Sequence, residues 1–356
     1  MPGRPLSTAF PPGPAEGGHL PALDGLRGLA VAVVVVSHLA NAGMLPAILG
    51  QGFGQMGVAL FYALSGFLMA RLHLGAVPTR DSLLAYAWRR GARVLPLYLA
   101  ALALGVAMLG LGLSPYRLED AADVWRAAFL VHGTGVLWSV PTEIQFYVVF
   151  AGLWVVARRG HLAAALAGLL AVQALAVLAL VAAEGPPNTY NLAFWMHFFL
   201  AGVVLGHLST HPAMARLRRA ATAHANRSAL AVAALLAGAL LAPPGMRDAL
   251  GLPHMPPFAD PYSAGYPMAL LVAALVLPGA GRAFSWGPLR WLGKVSFSVY
   301  LFHMPVLVVV AAAGPDWLSP WNAAVLTVAG TLAVATLTER VIETGLRRAI
   351  LRHAPA

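Results

Sequence analysis

No cysteine occurs in this chain of 356 residues. Disulfides, thiolate metal sites and a cysteine nucleophile are therefore excluded. Charge is nearly as scarce: Asp, Glu, Lys and Arg make up 10% of the residues, against 59% hydrophobic ones. With a mean hydropathy of +0.74, the chain has more apolar surface than a soluble core can hide, which implies a polytopic membrane protein. Lysine is almost missing, Lys294 being the one lysine among 23 basic residues. The formal net charge of +10 could suit a nucleic-acid partner, but the arginines border apolar runs. That placement suits orientation in a lipid bilayer and no nucleic acid.

What the chain has in abundance is apolar sequence. Stretches near 26–45, 53–72, 94–113, 138–157, 162–183, 189–208, 228–242, 263–280, 291–312 and 321–339 can each span a hydrocarbon layer of roughly 30 Å. They predict an all-α transmembrane bundle of about ten helices with both termini cytoplasmic. On that topology the inner segments hold nearly all the arginines, including Arg216, Arg218, Arg219 and Arg227 in the 209–227 loop. The outer segments keep only Arg117, Arg126 and Arg247, with 243–262 outside. Residues 1–20 are rich in Pro and Gly without an apolar core of signal-peptide length, and read as a disordered cytoplasmic tail. Residues 21–345 form the membrane domain and 346–356 a basic cytoplasmic tail. Asp24 is a candidate cap for the first helix. No inverted internal repeat is visible.

Several polar residues stand out against this background. Arg27 and His38 are eleven positions apart, which on a helix leaves both on nearly one face, about 16 Å apart along the axis. The arginine marks a membrane surface and the histidine lies deep, where an ionisable group needs a polar interior or a partner. His38 falls about 10 Å below the outer boundary and Glu143, five residues after Trp138, about 8 Å below it. Similar depth predicts a His38 and Glu143 pair, each relieving the other's isolation. Arg89, Arg90 and Arg93 are expected to precede the third helix, with Pro96 in its first turn, so that guanidinium forks and free amides together suit a phosphate. Gln145 and Tyr147 are candidates for binding acceptor hydroxyls. His197 and His303 fall near mid-bilayer, where a histidine satisfied by its neighbours is the ordinary expectation. Ser65-Gly66 reads as a close helix contact. Glu119, Asp120 and Asp123 read as a solvated acidic loop, and no metal is assigned.

Five ordered segments resemble the membrane acyltransferase-3 family. They are LDGLRGLAVAVVVVSHL (23–39) with its Arg27-x10-His38, GVALFYALSGFL (57–68), RRGARVLPLYL (89–99) with Arg90 and Arg93, WSVPTEIQFYVVF (138–150), and KVSFSVYLFHMPV (294–306) with His303. The resemblance runs on to IET (342–344). Ala59, Ile144 and Gly345 depart from the family pattern, which bears on the acceptor and fine positioning more than on the reaction class.

The resemblance implies an acyl-CoA donor used from the cytoplasm, with no permanently bound cofactor. It implies a carbohydrate or other hydroxyl acceptor modified at the outer face of a bacterial cytoplasmic membrane. A hydroxyl is a poor nucleophile at neutral pH, so a base must take its proton as it attacks the thioester. His38 would be that base, or would first become acyl-histidine; both routes stay open. Glu143 would serve catalysis by orienting or charge-balancing His38. Arg27, Arg90 and Arg93 would hold the donor's anionic parts, and Gln145, Tyr147 and His303 would bind substrate. A transporter or flippase of a sugar-linked or lipid-linked substrate would also explain ten helices and buried ionisable groups, and would work without acyl-CoA.

Overall fold

The computed structural model describes residues 19–183, 189–241, 243–252, 261–314 and 318–352. Most of the expected tail 1–20, the end of the tail 346–356 and residues 253–260 of the expected outer loop lie outside them. The architecture is all-α. The long helices are α1 (Pro21–Asn41), α2 (Phe53–His73) and α3 (Arg80–Leu109), then, after the short α4 (Ala121–Ala128), α5 (Ser139–Arg158), α6 (Leu162–Ala182) and α7 (Leu192–Leu208). Next come α8 (Pro212–Ala223), α9 (Ala225–Leu240), the short α10 (Pro244–Ala249), α11 (Pro261–Val276), α12 (Pro278–Phe284) and α13 (Gly287–Lys294). The chain closes with α14 (Ser296–Ala313), α15 (Pro320–Thr338), a π-helical stretch Glu339–Leu346 and α16 (Arg347–Leu351). Among the described residues seven helices are long and apolar enough to cross a membrane, or up to nine if each of two bent pairs is one span. The 16-residue α9 is shorter. It nevertheless runs from α8, whose Arg218 donates to Leu275 O at the end of the bundle near Arg27, to α10, whose Gly245 lies against Ile48 at the opposite end. All ten predicted apolar stretches thus have a helix.

Helix starts differ from the hydropathy boundaries where local chemistry overrides apolarity. Pro21 in the first turn starts α1, so Asp24 sits inside that turn and pairs with His19 at 2.9 Å instead of capping. Thr79 starts α3 through a capping box, accepting from Ser82 N (3.1 Å) while its own amide donates to Ser82 Oγ (2.8 Å). Arg89, Arg90 and Arg93 are therefore well inside α3 and Pro96 is an interior proline. The expected site at free helix-start amides does not exist. Instead, the i, i+3 spacing puts Arg90 and Arg93 on one face.

The tightest packing joins α2 to α7. Gly66 and Gly202 allow it: a Cβ on Gly66 would collide with Phe199 O, and one on Gly202 with Ala63 O. The opposite end of the bundle is covered by residues 110–138, with Tyr116, Leu118, Ala127 and Leu137 buried. Tyr116 donates to Leu301 O, Tyr98 to Ala127 O and Tyr300 to Val136 O, each at 2.9 Å. Trp138, at the end of this segment, is buried, 6% exposed.

Candidate active site

Arg27 of α1, Ser65 of α2, Arg90 and Arg93 of α3, and Glu143 and Tyr147 of α5 line one interior cavity of about 70 Å³. Ser65 Oγ donates to Glu143 Oε1 at 2.9 Å and Tyr147 Oη donates to the same oxygen at 2.6 Å. Both bonds are charge-assisted, and both fix the carboxylate. Arg90 lies near both the Tyr86 and Tyr147 rings, at 5.9 and 5.6 Å from their centroids, and these rings themselves meet edge to face at 6.5 Å, so the cation sits against an aromatic corner. Arg27 Nη2 donates to Ser296 Oγ at 3.2 Å, while its Nε is enclosed with no hydrogen-bond partner. Glu143, Glu343 and Asp24 attract the Arg27 charge and Arg93 repels it.

Arg27 and Arg93 also line a second, wider cleft of about 630 Å³, together with Asp24, Arg290, Lys294, Glu339, Glu343 and Arg347. The π-helical stretch supplies two of its three acids, Glu339 and Glu343. Glu339 meets Lys294 at 3.4 Å and accepts from Thr344 at 2.9 Å, and Glu343 accepts from Ser298 Oγ at 2.5 Å. A π-helix widens the turn and is most often found at functional sites. The two arginines thus form the partition between a broad polar cleft and a narrow inner cavity.

His38 lies elsewhere. Its Nδ1 is 2.9 Å from Val34 O and 3.2 Å from Nε2 of His303, and the two imidazole centroids are 5.0 Å apart. Tyr300, which lines the inner cavity, stands 6.2 Å from the His303 ring. Tyr300, at the cavity wall, is thus a ring neighbour of His303, which contacts His38. The expected His38 and Glu143 pair is not formed. Similar depth does not say which way each side chain faces: Glu143 turns to Ser65 and Tyr147 in the cavity the arginines line, and His38 turns to His303. Gln145 does not face the cavity either: its amide donates to Leu130 O (3.1 Å) and Val131 O (3.2 Å), which binds the covering segment.

Other polar residues have local duties. His197 Nδ1 and Gln173 Nε2 are hydrogen-bonded at 2.9 Å. Asp120 caps α4, and Asp123 accepts from Glu119 N and pairs with Arg126 at 2.9 Å. No group of three or more His, Asp or Glu converges for a metal among the described residues. Sequence reasoning missed Ser65 as a cavity residue, and also Ser296, Tyr300, Lys294 and Glu339. Two signals were available: Tyr300 is three residues before His303, on one helical face, and Glu339 and Glu343 are acids at i, i+4 just past the last apolar run.

A family model described as an acyltransferase domain, that of the acyltransferase-3 family, matches residues 20–340. The chain belongs to the acyltransferase-3 family. Among curated relatives, this family member is 27% identical to "Putative peptidoglycan O-acetyltransferase YrhL" of Bacillus subtilis, over 82% of this chain and 49% of the relative. It is 29% identical to "Putative membrane-bound transacylase BcsY" of Komagataeibacter xylinus, over 81% of this chain and 72% of that one. To "Peptidoglycan O-acetyltransferase OatA" of Listeria monocytogenes the identity is 25%, over 93% and 56%. The chain spans about half the length of YrhL and of OatA. No solved structure matches. Both the cavity arginines and the histidine pair of this acyltransferase-3 member lie within the matched residues.

Proposed function

We propose that this chain is an integral-membrane O-acyltransferase of a bacterial cytoplasmic membrane. It takes an acyl group, in the simplest case acetyl, from cytoplasmic acyl-CoA and passes it to a hydroxyl of a carbohydrate or related acceptor arriving at the outer face. The observation that carries this reading is the partition at Arg27 and Arg93. A bulky polyanionic nucleotide fits a broad cleft edged by Arg290, Lys294 and Arg347, and only a thin arm fits the cavity beyond. The enclosed, unpartnered Nε of Arg27 is a donor waiting for an acceptor atom. The acyl end then follows Tyr300 and His303 toward His38. There the hydroxyl oxygen bonds to the acyl carbon, the carbon–sulfur bond breaks, and the hydroxyl proton passes through the imidazole to the departing thiolate. Formation of acyl-histidine first would use the same ring nitrogen. In this reading Glu143 serves the arginines, holding them in place and tempering their mutual repulsion, and Tyr147 fixes Glu143.

Replacement of Arg90 and Arg93 by alanine is expected to weaken acyl-CoA binding by about tenfold or more per site, since each charge-assisted contact contributes about 1.5–3 kcal/mol. Lysine should restore only part, because both the fork and the stacking on Tyr86 and Tyr147 are lost. Binding of labelled acetyl-CoA to the purified protein measures it, and unchanged affinity in the folded double variant would overturn the donor site. Movement of a sugar-linked or lipid-linked substrate without acyl-CoA would favour a transporter.

On the proposed ten-span topology the segment holding α8 is cytoplasmic. A cysteine replacing His224 would be the one thiol in the chain, and an impermeant maleimide should label it only after the cells are opened. Labelling in intact cells would refute that topology.

A further inference from the structure

We infer that His303 is a positioning residue: together with the Val34 carbonyl it holds His38 as the Nδ1–H tautomer and thereby presents His38 Nε2 as the reacting atom. The inference rests on the acyltransferase reading only for what Nε2 then does.

The assignment follows from donor and acceptor counting. A carbonyl oxygen only accepts, so the contact of His303 Nδ1 with Val299 O at 3.1 Å requires hydrogen on that nitrogen. The neutral ring then leaves His303 Nε2 with a lone pair. Likewise, the contact of His38 Nδ1 with Val34 O at 2.9 Å requires hydrogen on His38 Nδ1. The 3.2 Å contact between His38 Nδ1 and His303 Nε2 is then the same hydrogen shared with a second acceptor. All three contacts agree on one arrangement. Reversing either ring would set a lone pair against a carbonyl oxygen. A proton added to His303 Nε2 would set two N–H groups against each other. Among the described residues His38 Nε2 has no hydrogen-bond partner, and its lone pair is available.

His303 is well placed to hold this state. It is 1% exposed, on a helix whose face also carries Tyr300, whereas His38 is only half buried. When His38 Nε2 takes the hydroxyl proton, the ring becomes cationic and its Nδ1–H donates to His303 more strongly, because one partner is now charged. His303 therefore does for His38 what an orienting carboxylate does for other bases, with a neutral acceptor. Glu143, bonded to Ser65 and Tyr147, has no part in it.

Two measurements test this on the full-length protein in lipid nanodiscs. In the first, histidine-labelled ¹⁵N protein is examined by long-range ¹H–¹⁵N correlation, with the His38 signals identified by their loss in His38→Gln. The expected pattern is protonated Nδ1 and bare Nε2, and the opposite tautomer overturns the inference without reference to activity. In the second, CoA release from acetyl-CoA is followed with a thiol reagent, to which this cysteine-free chain is silent. His303→Leu should lower kcat about 10- to 100-fold, the range for losing a hydrogen bond to a charged group, with KM for acetyl-CoA unchanged. His303→Gln, whose amide oxygen can accept from His38 Nδ1, should recover most of kcat. Wild-type kcat in His303→Leu, equal loss in both variants, or a change confined to KM would each overturn the positioning role. If wild-type protein shows the expected tautomer but no acetyl-CoA turnover, the acyltransferase reading fails and the tautomer assignment stands.

Discussion

His38→Ala is expected to lower acyl transfer by about 10²- to 10⁴-fold, the usual contribution of a positioned general base, and by more if the imidazole carries the acyl group itself. The protein should still insert and bind donor. His38 is half buried, its hydrogen bonds run to its own helix and to His303, and the arginines of the cavity do not touch it. The loss should therefore appear in kcat while the affinity for acetyl-CoA stays within about twofold, well under 1 kcal/mol. Membranes holding matched amounts of variant and wild type, supplied with radiolabelled acetyl-CoA, measure it directly. A correctly inserted variant that still acylates at near wild-type rate would make His38 structural.

Glu143 should separate charge from hydrogen bonding. Its Oε1 accepts from both Ser65 and Tyr147, so Glu143→Leu strands two hydroxyls and removes an acid whose charge attracts Arg27. Removing one partner from a buried ionic group costs about 3–5 kcal/mol, and the yield of folded protein should fall sharply. Glu143→Gln can keep both hydroxyl bonds through its amide oxygen, so it should fold. What it loses is the charge that tempers Arg27 and Arg93, which should change KM for the anionic donor far more than kcat. Thermal unfolding in detergent and steady-state kinetics separate the two variants. A tenfold or larger fall in kcat for Glu143→Gln at unchanged KM would return Glu143 to the histidine.

The helices were legible because apolar runs of spanning length are a strong, local signal, and each of the ten predicted stretches became a helix. Their ends were less so. Pro21 and the Thr79–Ser82 capping box extend α1 and α3 beyond their apolar parts, and the longer α3 moved Arg90 and Arg93 from a helix start to a helix face. The arginine cavity was half visible: Arg27, Arg90 and Arg93 stand out as charges beside apolar sequence, whereas Ser65 and Ser296 look like ordinary packing residues until the fold turns them toward those charges. The partner of Glu143 on another helix, Ser65, was not legible, because depth along a helix does not say which neighbouring helix a side chain faces. That His38 would meet His303, 265 positions away, depends on how α14 packs on α1, which no local pattern encodes.

Besides its buried side chains and the Tyr116 hydroxyl, the covering segment is held through its main chain. Tyr98 and Tyr300 reach the carbonyls of Ala127 and Val136, Gln145 reaches those of Leu130 and Val131, and Tyr62 reaches that of Ser139 just beyond. Every amino acid offers the same carbonyl, so these anchors are indifferent to which side chains the segment carries. Its outward residues are free to drift and be reselected without loosening the attachment. On the proposed function, the surface offered to an acceptor can vary in this way while the histidine pair and the arginine partition beneath stay as they are.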